Sequence, residues 1–356
     1  MSIPTHVSVD RTLRVKILDA CGMTCTFCHN EGTPVAADNH RRLLPLFTSS
    51  GTSGRTSIYA ETNGVEFLPA KLSPDSEFGT TLEKLRDRLG FTELHLTGGE
   101  PTLHPDLSGI VRMGRAAGFN VRMTSNGENG LLAIPKAAMH GLEKINFSIF
   151  GTTPEELAQV QHGRFTNRLR AQRKITALKD AVDVCAQLRV KADANIVVVD
   201  ESHIERVHRL LDEWSPHLSV RLLNSLDHGQ ASLDAIEEVL RQRGAEPTAH
   251  YLTAGVSGAR TAYRLREGRV IYVKIIRPTR LPRTCSSCRF NNGTDCQEGF
   301  YGVRLYLAQD GRWMVGVCIQ RMDLCQELND FLAGDLPDEI LRLREDEETT
   351  LREQNQ

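Results

Sequence analysis

Between residues 12 and 226 a short apolar or β-branched run, a turn and an amphipathic stretch recur in that order. The runs cover 13–18, 93–97, 120–125, 144–149, 190–199 and 219–223, and their lengths suit strands. Between them, apolar positions at helical spacing predict helices over 81–88, 107–117, 154–161, 169–187 and 203–213. Strands that alternate with helices form parallel βαβ units, so the chain is expected to be α/β, with an open barrel or a doubly wound sheet. Residues 35–80 interrupt the first unit with a Gly-, Ser- and Thr-rich stretch of little periodicity. Its length is unusual for a loop in a compact domain, which suggests a disordered insertion or a lid. After 226 the period changes. A helix over 233–243 precedes two alternating stretches, 261–276 and 303–317, that read as antiparallel hairpins. The highly charged residues 338–356 read as a surface helix that frays. The expected organisation is a core over 1–226, a smaller domain over 227–335 and a charged tail over 336–356.

Composition narrows the classes. The 356 residues carry 43 Lys and Arg against 45 Asp and Glu, a formal charge of −2, with 40% hydrophobic and 25% charged positions. That is the composition of a soluble globular chain, without the basic surplus of a general nucleic-acid binder. No apolar run reaches membrane-spanning length and the N-terminus lacks a secretory layout, so the expectation is cytoplasmic.

Nine cysteines change the picture, because seven fall in two groups. In a cytoplasmic chain such groups point to metal rather than disulfides. Cys21, Cys25 and Cys28 follow the first strand with spacing C-x3-C-x2-C. Structural zinc wants a fourth ligand, and His29 adjoins Cys28 too closely to close the same tetrahedron easily. An iron–sulfur cubane normally takes four cysteines, so three leave one iron open to a small molecule. The second group is Cys285, Cys288, Cys296 and Cys318, spaced C-x2-C-x7-C-x21-C, which on spacing alone suits a zinc ribbon. Cys325 is a reserve ligand, and Cys185, at helical spacing among Val182, Val184 and Leu188, reads as core.

The first cysteine motif, with Phe27 before its last cysteine, resembles that of the radical S-adenosylmethionine (radical SAM) superfamily. Gly98-Gly99-Glu100-Pro101, ending the second strand, looks like the superfamily's GGEP turn. The resemblance implies that this turn and the Glu100 carboxylate hold the methionyl amino group of SAM. Ser125 and Asn126 resemble the third-strand residues that line the SAM pocket, Ser148 closes the fourth strand, and Asn195 matches a fifth-strand position that faces the methionine carboxylate. Phe150 stands where the family often has Asp. In this company the second cysteine group reads as an auxiliary 4Fe–4S cluster. The nearest resemblance is to the GTP cyclase group of molybdenum-cofactor biosynthesis, with its C-terminal twitch (SPASM-like) domain. The implied fold is a partial (β/α)6 TIM-like barrel followed by an α+β auxiliary iron–sulfur domain. Cys296 departs from that group's three auxiliary cysteines and would close the second cluster; the group's terminal Gly-Gly is also absent.

On the substrate side, Arg264, Arg266, Arg269, Lys274, Arg277, Arg280 and Arg283 crowd the approach to the second cysteine group. They form either a solvated basic face or a phosphate or carboxylate pocket, with Arg264, Arg266 and Lys274 as the candidate contacts. The resemblance implies SAM cleavage to a 5′-deoxyadenosyl radical, hydrogen abstraction from a small anionic nucleotide, nucleoside or sugar derivative, and an external one-electron donor such as flavodoxin or ferredoxin. The alternatives are a twitch- or SPASM-type maturase of a ribosomal peptide, disfavoured by the short stretch before the first strand, and a zinc-dependent scaffold without catalysis.

Overall fold

The computed structural model describes residues 3–28, 49–50, 55–56, 61–67 and 70–355. His29 and most of the first half of the 35–80 insertion lie outside the described residues. The chain opens with strands β1 (Thr5–Val9) and β2 (Thr12–Lys16), and β3 (Ser49–Ser50) pairs with β4 (Arg55–Thr56) as a separate ribbon. There follow α1 (Ser76–Leu89), β5 (Glu93–Thr97), α2 (Leu107–Ala116), β6 (Asn120–Ser125), α3 (Gly130–Met139) and β7 (Leu142–Ser148). Next come α4 (Pro154–Gln159), α5 (Arg168–Leu188), β8 (Lys191–Val198), α6 (Ile204–Glu213), β9 (Leu218–Asn224) and α7 (Gly229–Gln242). The last third adds β10 (Glu246–Ala254), β11 (Gly258–Arg264), β12 (Val270–Ile276), β13 (Val303–Leu307), β14 (Trp313–Gly316), β15 (Gln326–Glu327), α8 (Leu328–Ala333) and α9 (Leu336–Glu353).

Strands β2, β5, β6, β7, β8 and β9 are parallel neighbours in chain order, the six expected βα units. Their outward residues, such as Leu94, Leu96, Val121 and Met123, are fully buried beneath the helices. Helix α1 starts at Ser76, five residues before the expected 81. The Asp75 side chain accepts from the Phe78 amide, and Phe78, Leu82, Leu85 and Leu89 bury one face. Helix α3 escaped the periodicity reading because Pro135 sits inside it and its first turn exposes Leu131 and Leu132.

The C-terminal strands form no sheet of their own. Strands β10–β12 extend the β9 edge, β13–β15 extend the β2 edge, and all belong to one 13-stranded sheet. This sheet must curl. Strand β1 lies at its far end beside β10, yet only Asp10 and Arg11 link β1 to β2, a reach on the order of 10 Å. Tyr301 spans the opening: Arg14 of β2 lies 4.1 Å and Lys274 of β12 5.4 Å from its ring centroid. The result is a curled partial barrel, and the 277–302 segment, which carries three of the second-group cysteines, crosses from one flank to the other.

Two expectations about the periphery change. Helix α9 is no fraying tail: it buries Leu336, Ile340 and Leu343, and its buried Arg344 donates to the Leu89 carbonyl at 2.7 Å. Residues 61–67 of the insertion pack on the C-terminal strands, with Phe67 buried among Tyr306, Met314, Met322 and Cys325. Among the described residues no helix is long and apolar enough to cross a membrane.

Candidate functional site

The first cysteine loop leaves the C-terminal end of β2, the end at which parallel α/β barrels bind ligands. Its path is set by backbone pairing on both sides. The Thr26 amide donates to the Val160 carbonyl at 2.9 Å, and the His162 amide to the Thr24 carbonyl at 2.9 Å. Gln161 does two things: its Oε1 accepts from the Thr24 amide at 2.8 Å, and its Nε2 lies 3.2 Å from the Cys25 Sγ. The Gly22 amide donates to Glu128 at 2.8 Å, and Glu128 is ion-paired with Lys174 of α5. Burial pushes the Cys21 thiol up to about 12 and the Cys25 thiol up to about 11. Thiolates here would need a positive partner, such as a coordinated metal would supply.

The GGEP turn is built against this loop. A Cβ on Gly98 would lie 2.4 Å from the Leu18 carbonyl oxygen, and one on Gly99 2.3 Å from the oxygens of both Asp19 and Ala20. The glycines are therefore required by the chain's own backbone. Their close approach lets the Gly99 amide donate to Leu18 at 2.8 Å and the Glu100 amide to Ala20 at 2.9 Å. Glu100 is buried, and its carboxylate accepts from the Thr102 amide at 3.0 Å, the Thr102 hydroxyl at 2.7 Å, the Ser125 hydroxyl at 2.6 Å and the Asn126 amide at 2.5 Å. It ties the second strand end to the third, and Pro101 starts the short turn that follows. Asn126 then places its Nδ2 3.6 Å from the Cys21 Sγ.

Further round the barrel, Ser148 and Asn195 are register partners on β7 and β8. The Oδ1 atoms of Asn195 and Asn146 are buried with no hydrogen-bond partner, a cost that a bound polar ligand would relieve. The Phe27 ring, half exposed, meets Phe150 at a centroid distance of 5.1 Å. The residue that replaces the expected Asp thus supports the aromatic of the cysteine motif.

The barrel interior holds charge that sequence reading missed. Arg14, His95, Arg122 and Lys144 stand side by side across β2, β5, β6 and β7, with Arg304 next to Arg14. Burial and the cations around it hold His95 well below its usual range, so its ring is neutral; Nε2 lies 2.8 Å from the Thr124 hydroxyl. Asp193 is ion-paired with both Lys144 and Arg221. Arg14, Arg304 and Lys274 all lie over the Tyr301 ring. The available signal was a basic residue at an inward position on strand after strand.

The basic run after residue 263 divides. Lys274 faces the interior. Arg264 pairs with Val270 at the start of β12, and Arg266 lies in the following turn, so both are exposed at the barrel end opposite the cysteines. Arg269 donates to the Leu211 and Leu218 carbonyls, and Arg277 is paired with Glu347 of α9 at 2.8 Å. Arg280 donates to Asn291 at 2.6 Å, and Arg283 reaches Asp335 at 3.5 Å. Their dense spacing therefore reflects several separate structural jobs.

Cys285, Cys288, Cys296 and Cys318 line one cavity. Among the described residues no three His, Cys, Asp or Glu side chains converge on a single metal-ion position; these thiols surround a space instead. Burial pushes Cys318 up to about 11. Arg321 donates to the Cys288 Sγ at 3.6 Å and is itself held by Glu61, from the insertion, at 2.6 Å. Cys325 belongs to the apolar cluster around Phe67 rather than to the cavity lining, and Cys185 is fully buried core in α5.

Comparison with known proteins gives the Radical SAM superfamily as the family matching residues 15–213. A probable GTP 3′,8-cyclase of Sulfurisphaera tokodaii is 26% identical over 352 residues, covering 94% of this chain and 89% of that protein. Its counterpart from Saccharolobus solfataricus is 24% identical over 337 residues, covering 92% and 89%. Among solved structures, Streptococcus suis SuiB bound to S-adenosylmethionine is similar at a TM-score of 0.43 and 14% identity, over 70% of this chain and 51% of that one. The chain thus spans about half the length of SuiB.

Proposed function

The chain belongs to the radical SAM superfamily, and from that membership we propose that it cleaves SAM reductively and abstracts hydrogen from a small anionic molecule: a nucleotide, nucleoside or sugar derivative. Cys21, Cys25 and Cys28 hold the catalytic 4Fe–4S cluster, which leaves one iron for SAM. Bound there, the reduced cluster with SAM supplies the one-electron cleavage that yields methionine and a 5′-deoxyadenosyl radical. The residues of this chain do the positioning. Gly98, Gly99 and Glu100 lock the cysteine loop to the sheet, Asn126 and Gln161 donate toward its sulfurs, and the unpaired Asn195 and Asn146 oxygens offer acceptors to a polar ligand. The curled sheet would enclose a substrate bound between its flanks and limit water there.

The observation that carries the substrate class is the convergence of Arg14, Arg304 and Lys274 on Tyr301 between the two cysteine sites' supporting strands. Forked guanidinium groups and an ammonium suit phosphate or carboxylate, and an aromatic ring suits a base or sugar face. This chamber replaces the Arg264 and Arg266 contacts expected from sequence. The relatives named GTP 3′,8-cyclase make GTP the first compound to try. Cys285, Cys288, Cys296 and Cys318 hold a second, fully ligated cluster, suited to conducting electrons or shaping the pocket. The division at residue 226 is thus one of chemistry within a shared sheet.

Equilibrium binding of GTP and of phosphorylated sugars to anaerobic protein tests the substrate class. Arg14→Met and Lys274→Met should each weaken binding of the responsive compound about tenfold, the loss of one charged contact of about 1.4 kcal/mol, without changing SAM affinity. Unchanged affinity in both variants would remove the chamber as the substrate site.

A further inference from the structure

Residues 160–179 contain Arg164, Arg168, Arg170, Arg173, Lys174 and Lys179 and no acid, in a chain whose net charge is −2. Four of these cations fall in the first seven residues of α5, whose opening turn holds no acidic residue. That placement opposes the helix dipole, whose positive end favours Asp and Glu. Glu155 of α4 pairs with Arg168, and Glu128 pairs with Lys174, so those two acids reach this stretch from outside it. Between the basic positions Leu169 is 72% exposed. Lys179 lies over the Trp214 ring at 5.1 Å, while Leu169 is not among the residues packed on the core.

The same stretch adjoins the catalytic cysteine loop. Gln161 bridges to Cys25, and the His162 amide donates to the Thr24 carbonyl. Lys174 is joined through Glu128 to the Gly22 amide, next to Cys21. Residues 161–162 and Lys174 thus bring this stretch and the start of α5 alongside the loop that carries the three thiols.

We propose that the first two turns of α5, with Leu169 as apolar anchor and Arg170 and Arg173 as steering charges, form the docking surface for an acidic one-electron carrier protein. The proposal rests on the radical SAM reading above. A basic face beside the site speeds encounter with an acidic partner, and a small apolar contact orients it. In the docked pair the carrier is oxidised by one electron and the catalytic site reduced by one; no bond is made or broken.

The test compares two reductants on the reconstituted full chain. SAM cleavage is measured with dithionite and, separately, with reduced flavodoxin. Arg170→Glu/Arg173→Glu and Leu169→Asp should lose tenfold or more of the flavodoxin-driven rate, while the dithionite-driven rate stays within twofold of the unaltered chain. The flavodoxin-driven rate of the unaltered chain should also fall with added salt. Unchanged flavodoxin-driven rates would overturn the docking surface, as would equal losses with both reductants, which would place these residues in the site itself. Failure of the unaltered chain to cleave SAM with dithionite would instead overturn the radical SAM reading.

Discussion

Cys25→Ala should reduce 5′-deoxyadenosine formation to background and lower the iron content by about four per chain. The reason lies in how the loop is held. Cys25 is the thiol that receives Gln161 Nε2, and Gln161 also fixes the Thr24 amide, so thiol and loop path are positioned together. Replacing the thiol removes one of the three thiols proposed as cluster ligands near β2, and no other cysteine lies in that loop. The fully buried core residues of β2, Leu13 and Val15, are untouched, so, with iron removed from both proteins, the thermal transition should stay close to that of the unaltered chain. Iron held by the second group should survive. Loss of all iron would show that the two groups are not independent sites.

Glu100→Gln should unfold more easily and load its first cluster poorly. The carboxylate takes four donors, two of them backbone amides that cannot turn away. A glutamine places an NH2 group against one of those amides and leaves a buried donor unsatisfied, at about 1–3 kcal/mol. Loss of the Asn126 amide contact then frees the strand end that carries Nδ2 toward Cys21. Burial, opposed by those same donors, holds the Glu100 carboxyl above its usual range. The folded chain therefore binds this proton more tightly than the unfolded chain. Its contribution to stability falls as pH rises above the ordinary carboxyl value of 4.5, and Glu100→Gln should remove that slope. Chemical denaturation at two pH values, with iron analysis, checks both effects.

The parts of this molecule that could be read in advance are those whose physics is local. Strands β5 and β6 coincide with the apolar runs 93–97 and 120–125, where Leu94, Leu96, Val121 and Met123 alternate with polar residues and are fully buried. The cysteine triad and the GGEP turn are short motifs in a strand-to-helix context. What escaped depends on register. Arg14 and Arg304 lie 290 positions apart and meet only because β13 pairs in parallel with β2. No window along the chain contains both. After residue 263 seven close basic residues left a solvated face and a single pocket both open. An antiparallel hairpin sends Arg264 and Lys274 toward opposite ends of the barrel. Glu100 is intermediate: its motif was visible, but not that Thr102, Ser125 and Asn126 would supply all its donors. Helix α9 shows how charge can mislead, because Arg344 is buried against Phe91 in a segment that looks like a solvated tail.

The measurement closest to the central claim is the fate of SAM incubated anaerobically with dithionite and iron-reconstituted protein. A radical SAM enzyme built on Cys21, Cys25 and Cys28 forms 5′-deoxyadenosine and methionine in equal amounts, from a brown protein that carries about eight irons when both cysteine groups are filled. Intact SAM in the presence of that full iron complement would contradict it.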